Sequence, residues 1–86
     1  MEIPNEDLGK WRARMLEVPP SKALREIGQV YGVSQRRLGG ALAQMYDDVS
    51  SLDVGAVWVW DMAGDGRGMT DAQLNQRLAR VVGRAT

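Results

Sequence analysis

The chain has 86 residues, is 44% hydrophobic and 26% charged, and carries a formal net charge of zero; this composition is typical of one small globular domain and excludes a disordered or strongly basic chain. It contains no cysteine and no histidine, so disulfides, thiolate nucleophiles and the commonest general base are excluded. The longest apolar run, residues 56–60, is too short to cross a membrane. We therefore expect residues 1–86 to form one cytoplasmic domain with no catalytic residue, no metal and no cofactor.

The first predicted helix covers residues 6–17. Asn5 is placed to cap it, because a short polar side chain at this position can accept a hydrogen bond from the first turn. Leu8, Trp11 and Met15 recur at helical spacing and form its apolar face. Two prolines at positions 19 and 20 end the helix, since the residue before a proline is driven out of the helical conformation.

Two further helices are predicted within residues 21–46. Ser21 caps a helix over 22–30, and Gly32 ends it, because glycine adopts the left-handed conformation without steric cost. Ser34 then caps a third helix, from about 35 to 48. The apolar residues of both helices recur at helical spacing: Leu24, Ile27, Val30, Leu38, Ala41, Leu42 and Met45.

The composition of residues 54–60 predicts a β-strand, because the segment is rich in valine and tryptophan. Alternation would place Trp58 and Trp60 on one face. A lone strand needs a partner for its backbone groups, which favours an antiparallel ribbon across a homodimer. A buried helix is the alternative interpretation, and it would make the fold all-α.

A glycine-rich loop over 61–69 follows, and then a C-terminal helix over 71–82 within the segment 70–83. Thr70 and Gln73 have the spacing of a capping box at the start of that helix. Asp61 and Asp65 are oxygen ligands of the kind that calcium prefers, but the loop lacks the spacing of a calcium-binding loop. We expect the segment 54–69 to be strand and connection, with no metal site.

The sequence thus predicts a mainly α domain: a three-helix core, one strand at 54–60 and a C-terminal helix at 71–82. Residues 24–42 resemble the helix-turn-helix of bacterial and phage regulators. Gly28 matches the small residue where the two helices cross, and Gly32 matches the glycine of the tight turn. The other matching positions are the apolar Val33, the serine at 34 and the anchoring leucine at 38.

The resemblance implies a small, dimeric DNA-binding protein that regulates transcription and reads the major groove with the helix beginning near Ser34. The residues at base edges would be Gln35, Arg36, Gly39 and Gly40. Phosphate contacts would come from Ser34, Lys22, Arg25 and Arg37.

Two features favour a different function for the two helices within residues 21–46, as a protein–protein interaction module. Gly39 and Gly40 stand where regulators usually carry base-reading side chains, and Asp47 and Asp48 would repel phosphate. The contact residues would then be the Gly39-Gly40 pair or two tryptophans, Trp58 and Trp60. We also expect at least one of these tryptophans to lie in the core, since the chain has no phenylalanine.

Overall fold

The computed structural model describes residues 3–84, and within them the chain is mainly α, as predicted, with no sheet. A single 3₁₀ turn, Asn5–Asp7, leads into the first helix. The five helices of the described part are α1 (Leu8–Glu17), α2 (Pro20–Tyr31), α3 (Gln35–Met45), α4 (Ser51–Val59) and α5 (Asp71–Arg84). None of these helices is both long enough and apolar enough to span a bilayer.

The predicted strand at 54–60 is wrong, because these residues lie almost entirely in α4. Its only strand-like feature is an isolated parallel bridge between Trp60 and Met69. The helix is fixed at its N-terminus by a capping box: the Ser50 hydroxyl accepts from the backbone N–H of Asp53, and the Asp53 carboxylate accepts from the backbone N–H of Ser50. The antiparallel ribbon that we expected between two copies depended on the strand and is lost with it.

Helices α2 and α3 follow each other directly and are joined by a three-residue turn, residues 32–34. Gly32 ends α2 in the left-handed conformation, with φ of 63°. Gly28 lies at the crossing of α2 and α3, where an added Cβ would come within 3.3 Å of the Val33 carbonyl oxygen and 3.7 Å of the Leu38 side chain. The contact with the carbonyl oxygen is tighter than usual, which favours a small residue at position 28, and the predicted role of Gly32 at the end of α2 is confirmed.

Some predicted helix ends and caps differ from the structure. Helix α2 begins at Pro20, so Ser21 lies inside the helix, where its backbone N–H donates to Asn75 Oδ1 at 2.8 Å. Asp7, not Asn5, precedes α1, and Ser34 precedes α3 without a capping hydrogen bond from its side chain. Helix α3 ends at Met45 instead of near residue 48. Local propensity located these helices well but fixed their ends only to within a few residues.

The C-terminal helix begins as predicted. The Thr70 hydroxyl accepts from the backbone N–H of Gln73 at 3.1 Å, and the Gln73 side chain accepts from the backbone N–H of Thr70 at 3.0 Å. Helix α5 then packs against α2 and α4. One core joins all five helices; its fully buried side chains include Ile3, Leu24, Ile27, Leu38, Leu42, Val57, Leu74 and Leu78.

Candidate interaction surface on α3 and α4

Helices α3 and α4 form an antiparallel hairpin. The side chain of Gln35, at the start of α3, connects it to the end of α4. Its Nε2 donates to the carbonyl oxygens of Val57, Trp58 and Trp60, at 2.9, 3.3 and 2.6 Å. These carbonyls lie at the C-terminus of α4, where a helix has no partners of its own for its last carbonyl groups. The side chain that the sequence assigned to base reading is therefore engaged within the fold.

Gly39 is buried because Trp58 lies across it. A Cβ at this position would come within 2.7 Å of Trp58 Nε1 and 2.8 Å of Val54 Cγ1. The indole N–H of Trp58 donates to the carbonyl oxygen of Arg36 at 2.8 Å, which holds the ring in place. The neighbouring Gly40 is exposed, and nothing lies within 4 Å of an added Cβ. The two glycines therefore have different roles: the first admits α4, and the second leaves a flat surface.

Arg25, a predicted phosphate contact, holds α2 to α5. Its guanidinium donates to both carboxylate oxygens of Asp71 at 2.8 Å and lies 4.7 Å from the centre of the Trp60 ring. It also donates to the carbonyl oxygens of Asp61 and Met62. Hydrogen bonds from Arg25 and then from the Trp60 indole lower the pKa of Asp71. These partners occupy the donors that a DNA phosphate would need.

The other predicted DNA-contacting side chains are exposed. Lys22 lies in the first turn of α2, whereas Ser34, Arg36 and Arg37 lie at the N-terminus of α3. The structure thus keeps three of the predicted residues together at one helix end and separates them from Gln35 and Gly39, which α4 covers.

The two candidate interface tryptophans differ in their exposure. Trp60 is 3% exposed and its indole N–H donates to Asp71 Oδ1 at 2.9 Å, so it belongs to the core. Trp58 is 52% exposed and belongs to the surface. This division agrees with the expectation that at least one of the pair would be buried.

The outward face of α4 carries no charge, and apart from Ser51 in the first turn its exposed side chains are apolar. Leu52 is 70% exposed, Val59 is 57% exposed, and Gly55 lies between them at the middle of the helix. The only charged residue of α4, Asp53, points inward. We call Leu52, Val54, Gly55, Trp58 and Val59, together with Gly40 on α3, the α4 surface. The signal for it was already in the sequence: residues 54–60 are apolar without alternation to polar residues, which leaves apolar groups on every side of a helix.

A buried acidic residue anchors α4 beneath this surface. The Asp53 carboxylate accepts from the backbone N–H and hydroxyl of Ser50, both at 3.1 Å, and its other oxygen lies 3.4 Å from Arg77 Nε in an ion pair without hydrogen-bond alignment. Burial by itself raises the pKa of Asp53, but the Ser50 hydrogen bonds and the Arg77 charge outweigh it and the pKa falls below its usual value. The spacing of Ser50 and Asp53 was a capping signal that the sequence analysis overlooked.

The glycine-rich loop is organised by Asp61. Its carboxylate accepts from the backbone N–H groups of Gly64, Asp65 and Gly66 at 2.9–3.0 Å. Burial raises the pKa of Asp61, while the backbone hydrogen bonds, first those from Gly66 and Asp65, lower it by more. Among the described residues no cluster of three or more acidic side chains could hold a metal ion. Asp61 therefore shapes the connection between α4 and α5.

The free energy of unfolding is expected to be nearly constant between about pH 5 and pH 7. It is expected to decrease at pH values lower than about 4. The pKa values of Glu26, Asp53, Asp61 and Asp71 are all lowered in the fold, and the chain contains no histidine. A lowered pKa stabilises the fold above the unfolded-state value, and this contribution is lost as the pH falls through the folded-state pKa. Urea unfolding followed by tryptophan fluorescence at several pH values measures the effect; a marked change in stability between pH 5 and 7 would contradict it.

No family model, curated protein or solved structure matches this chain. Function must therefore be argued from the surfaces that the fold presents.

Proposed function

We propose that this protein is a non-catalytic interaction domain that binds a protein partner through the α4 surface. The observation that carries the proposal is the exposure of Leu52, Trp58 and Val59, at 70, 52 and 57%, on one helix face that has no charged side chain. A contiguous apolar area on a small domain is costly in water and is typical of a protein contact site. Tryptophan is also one of the residues enriched at the centres of such contacts.

The packing of α3 supports the same proposal. In a helix-turn-helix regulator the side chains along one face of the second helix enter the major groove. Here the corresponding Gln35 caps α4, and Gly39 lies beneath Trp58. Helix α4 therefore occupies part of the face that base reading requires, and its own outward side becomes the surface presented to a partner.

Site-specific photo-crosslinking in the cells that make the protein tests the proposal. A benzophenone amino acid replaces Val59, which is 57% exposed at the end of the α4 surface; the matched control places the same group at Gln29, an exposed residue of α2. We expect one or a few discrete protein adducts from position 59 and none from position 29. Failure to form a discrete adduct at position 59, or equal labelling at both positions, would contradict the proposal.

DNA binding is the second candidate function. The specific observation that favours it is the exposure of Ser34, Arg36 and Arg37 at the N-terminus of α3, where the helix dipole also attracts phosphate. Anisotropy of labelled duplex DNA would be measured at about 50 mM and about 200 mM salt, with Arg36→Ala/Arg37→Ala as the control. Binding that weakens with salt and is lost in the double variant would support a regulator-like role, whereas no binding at the lower salt concentration would exclude it.

A further inference from the structure

We infer that the bond between Arg67 and Gly68 is the site at which proteases of trypsin-like specificity cut the folded domain, and that the product remains a folded domain of two chains. The inference goes beyond the proposed function and does not depend on it, because it concerns the loop between α4 and α5 and not the α4 surface. It follows from the positions of the basic residues, the bonds within the loop and the packing of α5.

The distribution of basic residues selects this bond. Proteases of this class cleave after lysine or arginine, which an acidic pocket recognises. The sequence has 11 such residues, and ten of them lie in α1, α2, α3 and α5. A protease binds its substrate as an extended chain, so a residue within a helix is protected until that helix unwinds. In the described part of the chain Arg67 is the one basic residue in a loop, and residues 63–68 are all exposed.

Side-chain carboxylates hold the loop around this bond. Within residues 3–84, the segment 65–68 takes part in no hydrogen bond between two backbone groups. The Asp61 carboxylate accepts from two of its N–H groups, at 2.9 and 3.0 Å, and Asp65 Oδ1 accepts from the N–H of Arg67 at 3.1 Å. The next residue, Met69, is bonded to the end of α4 through its backbone. The opening needed for cleavage is therefore local, and exposed glycine-rich segments of this kind are preferred sites of proteolysis.

Cleavage is a hydrolysis with water as the co-reactant. The amide bond between the carbonyl carbon of Arg67 and the nitrogen of Gly68 breaks. The carbonyl carbon gains the oxygen of the water and becomes a carboxylate, while the nitrogen takes up both protons of the water and leaves as an ammonium group. The products are residues 1–67, which contain α1 to α4, and residues 68–86, which contain α5.

The second fragment remains bound because α5 is part of the core. Its Leu74 and Leu78 are fully buried, and it packs against α1, α2 and α4. The Asp71 carboxylate accepts two hydrogen bonds from Arg25 on α2, both at 2.8 Å. None of these contacts involves the loop, so the cut leaves them in place. Folding of the cut domain becomes bimolecular, and its stability then depends on its concentration.

Limited digestion of the purified chain with trypsin, followed by mass spectrometry and gel filtration, tests the inference. We expect the first internal cut to give fragments 1–67 and 68–86, which elute together in native buffer and separate in urea. The midpoint of unfolding of the cut domain should rise with concentration more steeply than that of the uncut chain. A first internal cut within a helix would overturn the site. Separation of the fragments in native buffer at about 10 µM would overturn the two-chain domain.

Removal of the basic side chain tests the site directly. Arg67→Gln should slow the first internal cut by more than about tenfold, because every remaining site requires a helix to unwind. The matched control is Arg37→Gln, which removes an exposed arginine within α3 and should leave the rate unchanged. Equal rates for Arg67→Gln and the unchanged chain would overturn the inference.

Loss of the loop carboxylate tests how the site is held closed. Asp61→Ala removes three hydrogen bonds to backbone N–H groups and should speed the cut after Arg67 by more than about tenfold. The control is Asp47→Ala, at an exposed position in the turn between α3 and α4. Circular dichroism establishes that the variants are folded, and the Arg67→Gln result stands independently of them. An unchanged rate in Asp61→Ala would overturn the role of that carboxylate in closing the loop.

Discussion

Replacing Asp53 with alanine is expected to lower the free energy of unfolding by about 2–3 kcal/mol. The carboxylate caps α4 through Ser50 and forms an ion pair with Arg77, and only 7% of the side chain is exposed. Loss of the cap costs about 1 kcal/mol. The rest of the expected destabilisation comes from the lost ion pair, because the partly buried guanidinium of Arg77 is left without its carboxylate partner. The ion-pair contribution is below that of a fully buried pair, since Arg77 is 34% exposed.

A double-mutant cycle separates the two contributions. Urea unfolding would be measured for Asp53→Ala, Arg77→Met and the double variant. We expect Asp53→Ala to cost less in the Arg77→Met background, where only the cap remains to be lost. Ser50→Ala serves as the control for the cap alone, with an expected loss of about 1 kcal/mol. A loss below about 0.5 kcal/mol for Asp53→Ala would show that the network contributes little to the fold.

Two adjacent glycines are expected to respond to alanine with opposite signs. Gly39→Ala should destabilise the domain by about 1–2 kcal/mol, because the overpacking cost exceeds the gain in helix propensity. The new methyl group would meet Trp58 Nε1 at 2.7 Å and Val54 Cγ1 at 2.8 Å, so the indole must shift and give up its hydrogen bond to Arg36. Gly40→Ala should instead stabilise it by about 1 kcal/mol, since an added Cβ there meets nothing within 4 Å.

The comparison is made by thermal and urea unfolding at low protein concentration, so that self-association does not affect the result. Intrinsic tryptophan fluorescence, to which Trp58 contributes together with Trp11 and Trp60, provides a second readout that should change in Gly39→Ala and not in Gly40→Ala. Equal stabilisation by both substitutions would mean that α4 does not press on Gly39 in solution. In that case the face of α3 that α4 covers in the structure would be open, and the DNA-binding candidate would gain support.

The fold was predicted best where local sequence and tertiary structure require the same thing. Gly32 has to take a positive φ at the end of α2, and Gly28 has to be small at the helix crossing, so each residue type could be interpreted from its neighbours. The Thr70 and Gln73 spacing likewise located the start of α5. The Gly32 and Thr70–Gln73 features depend on neighbours within a few residues of chain, and Gly28 depends mainly on the next helix, α3.

The strand predicted at 54–60 shows the opposite case. Valine and tryptophan favour strands, but short apolar runs fit a buried helix equally well, and only a neighbouring segment can decide. Here α3 decides: Gln35 caps the end of α4, and Gly39 gives Trp58 a place to lie. The Ser50 and Asp53 capping box was a local signal for the same helix.

The candidate site likewise depends partly on local sequence and partly on tertiary contacts. The sequence by itself determined a composition typical of a small globular domain and a chain without cysteine or histidine. It also predicted most of the helices, and it named Trp58 as a candidate interface residue. Only the tertiary structure decided that Gln35 and Arg25 are engaged within the fold, that Trp60 is core, and that α4 presents an uncharged apolar face. The physical reason is that helix propensity and turns depend on neighbours along the chain, whereas burial and side-chain partners depend on segments brought together by folding.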